Sequence, residues 1–299
     1  MRVDPHYIMN LSGSLSSSTA AEQKLASELS SGLRVASLST DPVAAGQASM
    51  LNAAAAQDDT FVQTATTAQG QMQVTDSALG SVVSQITVAI SATTAGVNGT
   101  ENSADLKSLA QSLSGIRDQV LALANTSYQG TYLFAGSQGA TQPFTLDTST
   151  SPATVTYNGD AHTGSITTET GQRISTGVSG AAVFTTAGAN VLAALNNLIA
   201  DFSSGAASST STADLAVLQN ALGNVSQQRS TLDSALSRIN SASAYAQTDA
   251  TNRTITASSL VAADPAQIAT QLSAAEIQTQ ALMSVIATLE KQSLFDYLR

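Results

Sequence analysis

The sequence predicts a mainly α fold: a long antiparallel coiled-coil helical bundle formed by the N- and C-terminal halves of the chain, with a small β-rich domain inserted between them. Three observations predict it. Apolar residues recur at alternating steps of three and four along very long segments. Only five prolines in 299 residues leave those segments unbroken. In the middle of the chain the heptads stop, and short runs that alternate at period two, separated by glycine, replace them.

Taken in order, the first stripe is Leu11, Leu15, Ser18, Glu22, Leu25 and Leu29, followed by the segment from Gly32 to Asp41. The first long seam reads Leu51, Ala54, Asp58, Phe61, Ala65, Ala68, Met72, Thr75, Leu79, Val82, Ile86 and Ala89, three-four throughout. A second helix carries Leu106, Leu109, Leu113, Ile116, Val120 and Leu123. From Gln129 to Phe184 the pattern is strand-like: Pro143–Leu146, Thr154–Tyr157 and Ile166–Thr168 read as strands, and Asn158-Gly159 reads as a two-residue hairpin turn. A short amphipathic helix is expected over Ala189–Phe202 and a serine-rich loop over Ser203–Thr212. The third seam runs Leu215, Leu218, Leu222, Val225, Arg229, Leu232, Leu236, Ile239, Ser243, Ala246, Ala250, Arg253 and Ala257. Asp264-Pro265 then opens a last helix, with Asp as cap and Pro in the first turn. Its stripe is Ile268, Leu272, Ala275, Thr279, Leu282, Ile286, Leu289, Leu294 and Phe295. These boundaries divide the chain into residues 1–42, 43–135, 136–185, 186–260 and 261–299.

A helix of about fifty residues is a rod of roughly 75 Å. The seams are rich in Ala, Ser and Thr, each of which contributes far less on burial than the roughly 1.5–3 kcal/mol of a Leu, so several helices must pack together. Gly70, Gly80, Gly115 and Gly223 inside the helices are expected to mark close helix packing. The inserted region, near fifty residues, is too small for an ample core of its own and should lean on the helices.

Composition excludes more than it assigns. Eleven basic and twenty-one acidic residues give a net charge of −10, which disfavours DNA or an anionic membrane as partner. There is no Cys, hence no disulfide, thiolate ligand or Cys nucleophile. No segment approaches 18 apolar residues, so no part of the chain is expected to span a membrane, and Met1–Leu15 lacks the apolar stretch of a cleavable signal. His6 and His162 are far apart and are expected to be exposed, and Asp58-Asp59 is expected to be a solvated helix face. No nucleophile elbow, phosphate loop, dinucleotide fingerprint or zinc motif occurs. No catalytic, cofactor or metal site is expected, and the chain is not expected to be an enzyme.

Leu25-Ala26-Ser27-Glu28-Leu29-Ser30-Ser31-Gly32-Leu33-Arg34-Val35, followed by Asp41-Pro42-Val43-Ala44-Ala45, resembles the N-terminal signature of flagellar axial proteins of the flagellin group. Tyr132–Ser137, Pro143-Phe144 and Tyr157–Asp160 are similar to the start of the outer domain in the FlgL-type, hook–filament junction branch of that group, and Gln292–Leu298 resembles its C-terminus. Thr40 departs from the pattern, which commonly has a second acidic residue before the Asp. Filament flagellin, of the same fold, is the alternative the resemblance leaves open. Another type III secreted coiled-coil protein is a more distant one.

The resemblance implies a structural adaptor, exported without a cleaved signal through the flagellar type III channel and placed at the hook–filament junction outside the cell. Its implied partners are other copies of itself, a FlgK-type junction protein, flagellin and a FlgN-type export chaperone, with no nucleic acid and no membrane. The residues expected to carry assembly are the N-terminal seam Leu11, Leu15, Leu25 and Leu29 and the C-terminal seam Leu272, Leu282, Ile286, Leu289, Leu294 and Phe295. Arg34 and Asp41 are candidates for a polar contact at the junction, or for simple solvation and capping. Low-charge stripes of this kind bury too little alone to offset ordering entropy, so residues 1–40 and 262–299 are expected to be largely disordered in the free monomer and to order on assembly.

Overall fold

Asp41 starts the first long helix: its Oδ1 accepts from the amides of Val43 and Ala44, and Pro42 occupies the first turn, where a missing N–H costs nothing. A computed structural model of the chain describes the backbone of residues 5–297 and the side chains of residues 9–288. Along them run α1 (Pro5–Ser31), α2 (Pro42–Val97), α3 (Ser103–Ala124), β1 (Ser127–Tyr128), β2 (Thr131–Tyr132), β3 (Phe144–Asp147), β4 (Thr154–Tyr157), β5 (Ser165–Thr167), β6 (Arg173–Ser175), α4 (Gly180–Phe184), α5 (Val191–Ser203), α6 (Ser209–Val261) and α7 (Pro265–Tyr297). The fold is mainly α with a small β region. The chain divides into two compact units, one of Asp58–Thr248 and one of Met1–Gln57 with Asp249–Arg299.

In the 58–248 unit the heptads become the core. Ala65, Met72, Leu79, Val82, Ile86 and Ala89 of α2 are buried, as are Leu106, Leu113 and Val120 of α3 and Leu218, Val225, Leu232 and Ile239 of α6. Arg229 occupies a seam position of α6 yet stays half exposed, and its guanidinium reaches Asp76 of α2 at 2.5 and 3.0 Å. The short helix α5 contributes Leu192, Leu195, Leu198 and Phe202, capped by Asn190 at its start.

The β region is three separate antiparallel hairpins, β1–β2, β3–β4 and β5–β6. Phe144 pairs with Tyr157 across β3–β4, and their rings lie 4.9 Å apart. Phe184 of α4 meets Phe134 and Phe144 edge-on at 5.4 and 5.2 Å. These rings join the same apolar cluster as the helix seams, so the insertion is built onto the bundle and shares its core.

Four expectations are corrected. Asn158-Gly159 is not a hairpin turn: β4 ends at Tyr157, its partner is the preceding strand, and the following strand pairs with β6 instead. Asp58 is fully buried and only Asp59 is exposed, because the heptad puts residue 58 on the seam. Gly115 and Gly223 have no atom within 4 Å of where a Cβ would stand, so they serve no close approach, whereas Gly70 lies against Tyr128 and Gly80 against Arg229. Gly96, which sequence spacing does not mark, is the tight one, with a Cβ there falling 2.7 Å from the Phe202 ring. Finally, α2 contains an 18-residue window of mean hydropathy 1.3, although no uninterrupted apolar run exists. Ala, Val and Ile spread around the helix among Ser, Thr and Gln raise the average, while the seam itself is buried against the other helices.

Candidate assembly surface on the terminal helices

The second unit is organised by two turns. Gly32 ends α1 with φ +69°, a left-handed conformation that glycine adopts without a Cβ clash. The chain then runs alongside the turn between α6 and α7. Arg34 N and Val35 N donate to Val261 O at 2.8 and 3.3 Å, Ala263 N donates to Gly32 O at 2.9 Å, and Leu33 and Ala262 form an antiparallel bridge. Arg34 Nη2 donates to Leu260 O at 3.1 Å, a cation placed on the carbonyl end of α6 where the helix dipole favours it. Its other nitrogen lies 3.8 Å from Asp41 Oδ2, an exposed pair of small energetic weight. Asp41 therefore caps α2 with one oxygen and faces Arg34 with the other. Val35, buried among exposed neighbours, pins the turn.

From this clasp α1 and α7 run antiparallel: Gly32 lies beside Ala263, and Ser18 is bonded to Thr279. Asp264 Oδ1 caps α7 by accepting from Ala266 N and Gln267 N. The seam between the helices is thin. Ser18, Ile268 and Thr279 are buried. Leu11, Leu15, Leu25, Leu272, Leu282 and Ile286 are half-buried, and Leu29 is exposed. Leu289, Leu294 and Phe295 lie outside the described side chains, as does His6. The buried centre of the seam is polar: the Ser18 and Thr279 hydroxyls share a 2.9 Å hydrogen bond. One turn along, Glu22 Oε1 is buried with no hydrogen-bond partner among the described residues. Outside the seam, Met9, Ile277 and Met283 are 70%, 68% and 54% exposed, and Leu33, Leu38 and Val285 add further apolar surface.

The helices themselves have little intrinsic support. The hydroxyls of Ser14, Thr19 and Thr270 bond back to carbonyls four residues earlier, and Lys24–Glu28 at 3.8 Å is the one ion pair within α1 or α7 among the described residues. Ser18 and Thr279 appear in the sequence as non-apolar members of their stripes, which is the signal that could have marked them. The bonds of the clasp, made by backbone groups far apart in sequence, leave no such signal.

In the 58–248 unit, polar clusters brace turns and helix ends. Asp160 accepts from the hydroxyl and amide of Ser137 and from His162 N, holding the turn after β4. Its carboxyl is lowered to about 2 by the Ser137 hydroxyl first and the Ser137 amide next. His162 is exposed, with Nδ1 3.6 Å from Asp160. Arg117, buried on α3, bonds Asp118, Ser114 and Asn196. Asp201 accepts from Ser208, Thr210 and Ser211, fastening the start of α6.

Comparison with known proteins agrees with this layout. Residues 6–139 match the bacterial flagellin N-terminal helical region and residues 215–298 the bacterial flagellin C-terminal helical region. The flagellar hook-associated protein 3 of Escherichia coli K12 is 30% identical over 275 residues, 86% of each chain. That of Salmonella typhimurium LT2 is 39% identical over 139 residues, 46% of this chain and 44% of the relative, so this alignment spans under half of that protein. Among solved structures, a putative flagellar hook-associated protein from Vibrio parahaemolyticus shares the fold with a TM-score of 0.56 at 20% identity, covering 75% of this chain and 97% of that one. The flagellar junction protein FlgL from Legionella pneumophila gives 0.53 at 15% identity, covering 62% and 96%. With matches that reach both helical ends, the chain belongs to the family of flagellar hook-associated protein 3, structural proteins of the bacterial flagellum.

Proposed function

We propose that the chain is the adaptor of the hook–filament junction and that the α1–α7 pair is the part that other axial subunits grip. The observation that carries this is the incomplete seam: its apolar residues are only half-buried, its centre holds a carboxylate oxygen without a partner, and large apolar side chains stand exposed around it. Such a pair gains most of its buried area from neighbours. The partners are further copies of this chain, a FlgK-type protein on one side and flagellin on the other, in an extracellular, non-enzymatic structure. Before export a FlgN-type chaperone covers the C-terminal stripe, including Leu289, Leu294 and Phe295. Arg34 and Asp41 set the angle of the turn between α1 and α2.

Ile286→Asp tests this. In a strain that lacks the native copy, the variant should keep the helicity of the wild-type monomer and fail to retain filaments, with flagellin shed into the medium. Normal filaments would refute the assignment. Labelling along the whole filament, in place of a single band at its base, would mark a bulk subunit instead. Limited proteolysis of the monomer should cut residues 1–40 and 262–299 before 44–260; equal resistance would count against ordering on assembly.

A further inference from the structure

The chain contains two Asn-Gly dipeptides, and the fold treats them oppositely. Asn98-Gly99 follows the last residue of α2. Both residues are exposed, Gly99 stands at φ +72°, and nothing lies within 4 Å of where a Cβ on it would be. Among the described residues no hydrogen bond engages the Asn98 side chain or the Gly99 amide; the Asn98 amide donates to Thr94 O at 3.3 Å. Asn158-Gly159 is held. Asn158 N donates to Pro143 O at 2.8 Å, and Nδ2 donates to Gln142 O and Thr145 Oγ1 at 3.4 and 3.3 Å. Gly159 is packed so closely that a Cβ would fall 2.5 Å from the Tyr157 hydroxyl and 2.7 Å from Ala135 O.

We propose that Asn98 is a site of spontaneous covalent modification, converting to aspartate and isoaspartate in the folded chain, while Asn158 is protected by the fold. The Gly99 amide nitrogen loses its proton and attacks Asn98 Cγ. A C–N bond forms, the Cγ–Nδ2 bond breaks, and Nδ2 leaves as ammonia, closing a five-membered succinimide. Water then opens the ring. Cleavage at Cγ leaves an ordinary aspartate in place of Asn98, and cleavage at the main-chain carbonyl leaves an isoaspartyl link through Cγ; water and ammonia complete the balance, with no redox partner. The reaction needs the side chain to swing over the following nitrogen. An unbonded Asn with no side chain on its successor permits this, and the bonds and close packing around Asn158 oppose it. Either product adds a negative charge at the carbonyl end of α2, next to Glu101, where the helix dipole disfavours it. The isoaspartyl form also adds a backbone atom in the turn that leads into α3, two residues beyond the tight Gly96–Phe202 contact.

The test is to age the purified full chain at neutral pH, cleave it at Asp and Glu, and follow the peptides of residues 77–101 and 148–160 by mass spectrometry, reading the aspartate products as the new fragments 77–98 and 148–158 and marking the rearranged link by isoaspartyl methyltransferase labelling. In the native chain the Asn98 peptide should convert about tenfold or more faster than the Asn158 peptide, and in denaturing urea the two rates should come together. Asn98→Gln should abolish conversion in the first peptide alone. Equal native rates, or an Asn98 that reacts only in urea, would overturn the proposal. A gap that persists unchanged in urea would also overturn it, since the discrimination would then not belong to the fold.

Discussion

The Ser18–Thr279 hydrogen bond is the one buried side-chain link between α1 and α7 among the described residues, and it offers a quantitative handle on the terminal pair. Ser18→Ala leaves the Thr279 hydroxyl buried with its partner gone, and Thr279→Val does the reverse. An orphaned buried hydroxyl costs about 1–3 kcal/mol. Each remaining hydroxyl can turn to the carbonyl four residues earlier in its own helix, as Thr19 and Thr270 do, so the lower end, about 1 kcal/mol per single substitution, is expected. The double variant removes both hydroxyls together, leaving neither orphaned, and should cost no more than either single, a coupling of about 1 kcal/mol. Hydrogen exchange across α1 and α7 in the full chain reads this directly: protection should fall about fivefold in each single variant and no further in the double. Strictly additive losses would show that the hydroxyls do not act as a pair, and unchanged exchange would show that the seam does not hold these helices.

The glycines give a contrast of sign: Gly96→Ala should destabilise by about 1–2 kcal/mol because its Cβ meets the buried Phe202 ring, whereas Gly223→Ala and Gly115→Ala, facing open space, should stabilise by about 0.5–1 kcal/mol each in thermal unfolding. Asp160 has a depressed carboxyl, so its contribution is fully present above 3.8 and lost as pH falls through about 2; an NMR titration of the Ser137 amide should show the step there, and Asp160→Asn should remove it. Asp214 runs the other way: burial raises its carboxyl above 3.8, the hydrogen bond from Asn197 opposes this, and the nearby charge of Asp201 adds to it, so the folded chain holds the proton more tightly and the ionised group costs stability at neutral pH. Asp214→Asn should therefore raise the melting temperature at pH 7 and bring no gain below 3.8.

Helices were legible wherever a seam was long. The α2 stripe from Ala65 to Ala89 is a run of buried or nearly buried residues because a heptad over many turns admits one inward face. Asp58 shows the strength of that rule, since its position on the seam outweighs the preference of a carboxylate for water. The β region was legible as strands and not as pairings. Asn-Gly after Tyr157 suits a tight turn, but the turn requires that the next strand return to β4, and Ile166 is taken by Ile174. Close packing at glycine depended on which ring faced it across the bundle, so Gly96 was silent and Gly223 misleading. Of the terminal surface, the stripes Leu11–Leu25 and Leu272–Ile286 were readable from spacing. The polar centre of the seam was visible only once Ser18 and Thr279 were seen opposite one another.

The clasp between the two turns sets an order of events. Arg34 and Leu260 are 226 positions apart, so the whole stretch between them must be available before those bonds can close. Whatever delivers the chain progressively, N-terminus first, leaves α1 without its mate until α7 has followed. The two helices that meet last thus share a seam whose leucines are at most half-buried, and until α7 arrives the inward face of α1 has no partner in its own chain.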